Sequence, residues 1–223
     1  MLPLIKTVAT VVLLAGLGLF ALNRAIAAGD SSSDENFRPI KEAEMPKGFP
    51  SYTPVGQIEV KEYPNYRKAS ASGVAEFWRL FSHIKQNNVT MTAPVEMDYG
   101  DPNSEKAREL SMSFLYERPD QGSTGRKGSV EVSDVPAMTV VSIGCRGSRS
   151  SASVSEAREK LLKWLAENSS QFTAAGPMRV MGYNSPFVPQ DKNFFEVQIP
   201  VKPSGESSSE STARQSGSAN ERG

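Results

Sequence analysis

One histidine and one cysteine in a chain of 223 residues limit the chemistry available to it. A hydrolytic triad needs a nucleophile, a base and an orienting group. His83 has no Gly-x-Ser-x-Gly elbow to serve anywhere in the sequence. Zinc sites built from several His or Cys are excluded by count. Cys145 alone cannot form an internal disulfide, a Cys-x-x-Cys-His haem attachment or a cysteine-held iron–sulfur cluster. It ends an apolar strand and reads as a small buried hydrophobe. Paired carboxylates work without histidine, and Glu59, Glu62, Glu96 and Glu196 all fall in strand-like segments. Two of them facing one cleft would suit a small-molecule hydrolase. Glu196, flanked by inward candidates Phe195 and Val197, is expected to point outward. No enzymatic machinery is legible beyond this.

The elements that must position these groups follow from periodicity. Residues 73–86 form a helix whose apolar stripe is Val74, Phe77, Leu80, Phe81 and Ile84. At about 100° per residue His83 lies roughly 240° from Phe77, beside Glu76 and Arg79. It is expected on the solvated face. Residues 89–99 alternate strictly through Val89, Met91, Ala93, Val95, Met97 and Tyr99, and Leu110 to Tyr116 alternate again. Residues 57–69 are extended, with Ile58, Val60 and Glu62 on one face and Tyr63-Pro64 interrupting the ladder. Residues 137–145 form another strand. A second helix then begins with Ser153 as its cap and Glu156 completing a capping box. Val154, Ala157, Leu161, Trp164 and Leu165 make its buried face, and strands at 178–183 and 194–201 close the domain. Six strands and two helices in the order strand–helix–strand–strand, twice, give an α+β fold. It is a duplicated βαββ unit forming a distorted open antiparallel β-barrel with two helices packed outside.

The ends are different in kind. Val8 to Leu22 is a mostly apolar run preceded by Lys6 and followed by Ala25-Ile26-Ala27, the pattern of a secretory signal. Arg24, between the run and the cleavage site, suits an uncleaved membrane anchor instead. The organisation is therefore 1–27 signal peptide or anchor, 28–50 flexible linker, 51–202 folded domain and 203–223 disordered tail. Export is expected to the periplasm or another extracytoplasmic space, with the protein soluble after cleavage or held at the inner membrane. The only membrane contact is the N-terminal segment, if uncleaved. Net charge is zero with no basic patch, so nucleic acid is not an expected partner. Nothing in the sequence sets the oligomeric state.

Four blocks resemble the SOUL haem-binding family. They are Ile58-Glu59-Val60-Lys61-Glu62-Tyr63-Pro64, then the Phe77-x-x-Leu80-Phe81-x-x-Ile84 helix leading to Met91-Thr92-Ala93-Pro94-Val95. Leu110-Ser111-Met112-Ser113-Phe114 follows, and Gly182-Tyr183-Asn184-Ser185-Pro186-Phe187 through Asn193-Phe194-Phe195-Glu196-Val197 is the last. The resemblance implies a distorted two-repeat barrel and a tetrapyrrole ligand, with haem or another porphyrin held non-covalently in a hydrophobic cleft, or no cofactor at all. With no strong axial ligand in view, modest affinity and easy exchange are expected, which suits an exported carrier or buffer. A small-molecule hydrolase using cleft carboxylates, or an envelope-tethered interaction module, is the alternative. Haem iron takes His, Met, Cys or Tyr; Met91, which also reads as core packing, is the preferred contact because it sits in the family block at the helix–strand junction, and His83 is a lesser one. Met97 is expected in the core. Phe187 either covers a flat ligand or plugs the barrel end. Lys192, with Lys85 and Arg179, is a candidate partner for propionates.

Overall fold

A computed structural model describes residues 37–104 and 108–205. Ten strands and two helices follow in the order β1 (Ile58–Tyr63), β2 (Tyr66–Ala71), α1 (Glu76–Gln86), β3 (Val95–Gly100), β4 (Ser111–Leu115), β5 (Gly125–Lys127), β6 (Val130–Val135), β7 (Met138–Arg146), α2 (Ser151–Glu167), β8 (Phe172–Ala174), β9 (Met178–Gly182) and β10 (Phe194–Pro203). The strands form one antiparallel sheet in the order β1-β7-β10-β9-β3-β4-β2-β6-β5, with β8 added alongside β10. The mixed α+β class is as expected. The sheet, however, is not closed into a barrel, because no ladder joins β1 to β5. Pro64 and Asn65 split one extended segment so that β1 pairs with β7 and β2 pairs with β4 and β6. The units β2-α1-β3-β4 and β7-α2-β9-β10 share one connectivity and one pairing order, and they meet at the β3–β9 ladder.

Alternation gives this sheet two faces. On one, Phe195, Val197 and Ile199 of β10 pack with Val141 and Ile143 of β7 beneath Val154, Ala157, Leu161 and Leu165 of α2. Leu80 and Ile84 of α1 cover Ala69, Phe114 and Val132 on the same face. The opposite face is not solvated either. Residues from Phe37 onward, expected to be part of a linker, lie across it: Phe49 meets Tyr63 and Tyr66 edge-on at 4.9 and 5.3 Å, and Tyr52 meets Phe194 at 5.3 Å. The backbone passes so close that a Cβ on Gly144 would stand 2.1 Å from the Thr53 carbonyl oxygen.

Several boundaries move for local reasons. Gly73 and Ala75 have left-handed backbone, so α1 starts at Glu76 rather than 73, and Val74 is left exposed. Ser150, not Ser153, caps α2; Ser153 N–H donates to the Ser150 hydroxyl and the Ser153 side chain answers the Ser150 N–H. Pro94 has no N–H to give a ladder, and β3 begins after it. On β1 the buried residues are Lys61 and Tyr63, while Val60, on the face shared with Ile58 and Glu62, is exposed. No helix among the described residues is long and apolar enough to cross a membrane; the Val8–Leu22 run and most of the 203–223 tail lie outside them.

Candidate functional site

The two helices leave the middle of the sheet uncovered. α1 packs over β2, β4 and β6 and α2 over β7, β8 and β10, so the central β3–β9 pair becomes the floor of a cleft between them. The cleft holds about 500 Å³. Val95, Gly182 and Phe195, in register across β3, β9 and β10, make the floor together with Met112. Gly182 keeps that floor low, since a side chain there would occupy space now held by the end of Arg149. Phe77 of α1 and Met91 form one wall, and the loop from Tyr183 to Asn193 forms the other. Thr92 pins the Met91 segment by donating its hydroxyl to the Leu115 carbonyl at 2.7 Å. Glu42 ties the opposite loop, accepting from the Ser185 N–H and hydroxyl, both at 2.7 Å. Burial acts to raise the Glu42 carboxyl, but these hydrogen bonds outweigh it and hold the group below its usual range.

Met91 and Phe187 are thus brought to one cleft. Phe187 stands at the rim, 93% exposed, and does not plug the sheet. Lys192 is exposed in a 3-10 turn (Gln190–Lys192) whose neighbours Gln190 and Asn193 line the cleft, while Lys192 does not. The cation that does line it is Arg149, in the turn before α2. Spacing gave no hint of it, because Gly147-Ser148-Arg149 belongs to no periodic pattern. Glu109 lies near Glu76 and Arg149. Burial raises Glu109, the Glu76 contact adds to this, and Arg149 opposes it.

His83 departs from expectation. It is 6% exposed, packed under α1 with Leu80 and Ile84, and shares a 2.8 Å hydrogen bond with the Tyr116 hydroxyl. Burial, with Lys127 nearby, lowers its basicity. It does not line the cleft. Met97 is in the core as expected.

The carboxylates lie on the other face. Glu196 is fully buried, correcting the outward placement. Lys61 donates to it at 2.8 Å, Gln198 at 2.6 Å and Tyr183 at 3.2 Å, and the Thr53 N–H donates as well. Arg179 donates to Gln198 at 2.9 Å and to Tyr66 at 2.7 Å, and Tyr66 donates to Glu96 at 2.6 Å, where Lys68 also pairs. Burial pushes Glu96 up, but Arg179 and Lys68 prevail and hold it below the ordinary carboxylate range. Arg179 is therefore committed to this network and not available to a ligand in the cleft. Lys85 lies over the Phe81 ring. Glu59 is half-buried and Glu62 exposed, both on β1. None of the four carboxylates lines the cleft, so the pairing that a hydrolase needs is not assembled there. Among the described residues no three His, Cys, Asp or Glu converge as a metal site. Burial pushes the half-buried Cys145 thiol up to about 12.

A family model described as SOUL heme-binding protein matches residues 49–200, a span that includes nearly every element described above. The chain belongs to the SOUL heme-binding protein family. No curated protein matches it. Among solved structures, EcmrR in a complex with DNA shares 19% identity at a TM-score of 0.51, over 66% of this chain and 57% of EcmrR. The isolated EcmrR C-terminal domain shares 19% at 0.50, over 66% and 97%. A hydrolase from Listeria innocua shares 14% at 0.48, over 68% and 94%. The chain thus spans little more than half the length of full EcmrR. At these identities the likeness to EcmrR is one of fold alone.

Proposed function

We propose that this SOUL-family protein binds one tetrapyrrole, haem or a related porphyrin, non-covalently in the cleft between α1 and α2. We further propose that it acts as an exported carrier or buffer. One observation carries the reading: a cleft of about 500 Å³ lined by Phe77, Met91, Val95, Met112 and Phe187. Its size and lining are those of a small-molecule site with a few polar fixtures. Arg149 is the fixture suited to a propionate, and a guanidinium pairs with a carboxylate through two parallel hydrogen bonds. Burying the macrocycle would contribute about 25 cal/mol per Å² of apolar surface, offset by the cost of association.

The bound group supplies iron or ring chemistry; the chain holds and orients it. Met91 and Tyr183 are the lining residues of a type that ligates haem iron. The Tyr183 hydroxyl is engaged with Glu196 and its titration is driven far upward by burial, so it stays protonated. With no histidine in the lining, modest affinity and easy exchange follow, which suits a carrier. The shared connectivity of the two halves supports descent from a duplicated unit, and the Val8–Leu22 run supports export.

A haemin titration of the full chain, followed by Soret absorbance, tests the reading. Saturable binding at one equivalent is expected, unchanged in His83→Ala and weakened in Met91→Ala. Absence of a saturable shift would overturn the assignment. Loss of binding in a folded His83→Ala variant would move the site beneath α1.

A further inference from the structure

Eight large apolar side chains are exposed among the described residues, and six of them line the cleft or adjoin, in space or along the chain, residues that do. Phe77 and Phe187 line it. Trp78 and Phe81 stack around Phe77 with ring centroids 5.3 and 6.2 Å away. Val74, 94% exposed, leads into the same helix, and Ile40 is held beside the loop by the Asn184 amide, which donates to its carbonyl at 2.7 Å. Scattered apolar exposure needs no explanation, but a gathered patch marks a docking surface.

Composition and chain path together specify what covers it. An indole beside phenylalanines, with a lysine lying over one of those rings, is the make-up of a surface seated at the headgroup–acyl boundary. Here Trp78 is 68% exposed and Lys85 Nζ stands 5.5 Å from the Phe81 ring. The chain also reaches this rim soon after it enters the structure: Phe37 packs on Phe194 from the opposite face, 6.2 Å between rings, and Glu42 and Ala43 line the cleft. Residues 23–36 are all that separate Phe37 from the Val8–Leu22 run, a tether of at most about 50 Å when fully extended.

We propose that the rim formed by Ile40, Val74, Phe77, Trp78, Phe81 and Phe187 docks on a lipid bilayer, so that the cleft opens onto the membrane. The geometry of the tether rests on Val8–Leu22 being held in that bilayer. An apolar ligand then reaches the cleft from lipid without crossing water. That consequence rests on the tetrapyrrole reading, whereas the docking does not.

The chain has only two tryptophans, which makes the test direct. Trp78 is at the rim, and Trp164 packs on Phe172 near the far end of α2, about 20 Å along the helix from its first turn. The full chain, free of tetrapyrrole, is reconstituted with phosphatidylcholine–phosphatidylglycerol vesicles carrying brominated acyl chains. In Trp164→Phe, Trp78 emission should shift to the blue and lose about half its intensity, as for an interfacial indole. In Trp78→Phe, the remaining Trp164 emission should be unchanged. Equal quenching of the two residues, failure of the full chain to float with vesicles, or lipid-free cross-linking of two copies through the rim would each overturn the proposal. Haemin titration without vesicles reads the cleft separately, so failure of docking and failure of ligand binding are distinguishable.

Discussion

Gly182→Leu is the sharpest test of where the ligand sits. Gly182 is paired on both sides in the central ladders, opposite Val95 and Phe195, and its backbone is ordinary strand backbone. A Cβ there would meet Arg149 Nη1 at 2.5 Å and Met97 Cε at 3.4 Å. Both are ends of flexible side chains that can swing aside, so unfolding stability should change by less than about 1 kcal/mol. The leucine would nevertheless stand on the cleft floor. A flat ligand would be lifted by about one contact layer, some 3.5–4 Å. If that uncovers about 100 Å² of its apolar face, the loss is about 2.5 kcal/mol, or roughly 70-fold in Kd. Haemin titration measures the affinity and urea unfolding checks the fold. A variant with an unaltered urea midpoint and wild-type affinity would refute the placement of the ligand between the helices.

The remaining predictions concern the groups around the cleft. Glu196→Gln leaves Lys61 buried without its carboxylate, so urea unfolding should show a loss of about 3–5 kcal/mol. His83 is less basic in the folded protein; its contribution is therefore complete above the unfolded value of about 6.5 and is lost as pH falls through the folded value. Stability measured against pH should slope upward across that window in wild type and lose this component in His83→Ala. Tyr183→Phe keeps the ring packed on Phe194 and removes one hydrogen bond to Glu196, costing about 1 kcal/mol. A tenfold loss of haemin affinity with unchanged stability would instead make the phenol a ligand contact. Cys145, its thiol raised to about 12 by burial, should resist iodoacetamide in the native protein at about pH 8 and label on unfolding; mass spectrometry of timed samples checks this.

The sequence made the strands with clean alternation legible, along with the buried face of α2, where Val154, Ala157, Leu161 and Leu165 are all core. β6 could have been found from Val130 and Val132, which alternate and are buried, whereas the three-residue strands β5 and β8 are too short to carry a period. The helical wheel of α1 gave relative positions correctly but not which sector meets the sheet. The apolar arc is wider than the contact, so Leu80 and Ile84 are buried with His83 while Phe77, Trp78 and Phe81 border the cleft. Glu196 failed for a related reason. Alternation separates the two faces of β10 but cannot say that both are covered. The cover itself, Phe37, Met45 and Phe49, is too sparse to register as an element. Met91 and Phe187 were reachable only through the family blocks, and Arg149 not at all.

The two faces of the sheet divide the work. Building a cleft over the β3–β9 pair means leaving those strands without a helix over them, which weakens the apolar support that would otherwise hold their register. The opposite face makes up the difference. Glu96 on β3, Arg179 on β9, and Glu196 and Gln198 on β10 are joined there by charge-assisted hydrogen bonds, with Lys61 of β1 and Lys68 of β2 at the two ends. Such a network is directional, and although Arg179 Nη2 is buried without a hydrogen-bond partner, the bonds that are made favour one register of these strands. Tyr183 follows the cleft-floor Gly182 and borders the cleft, while its ring packs on Phe194 and its hydroxyl donates to Glu196 on the opposite face. The floor can thus stay open on the helix side because its strands are locked from behind. A cleft preorganised in this way would spend little binding energy on ordering the protein, which suits the proposed tetrapyrrole site, whose lining has no histidine.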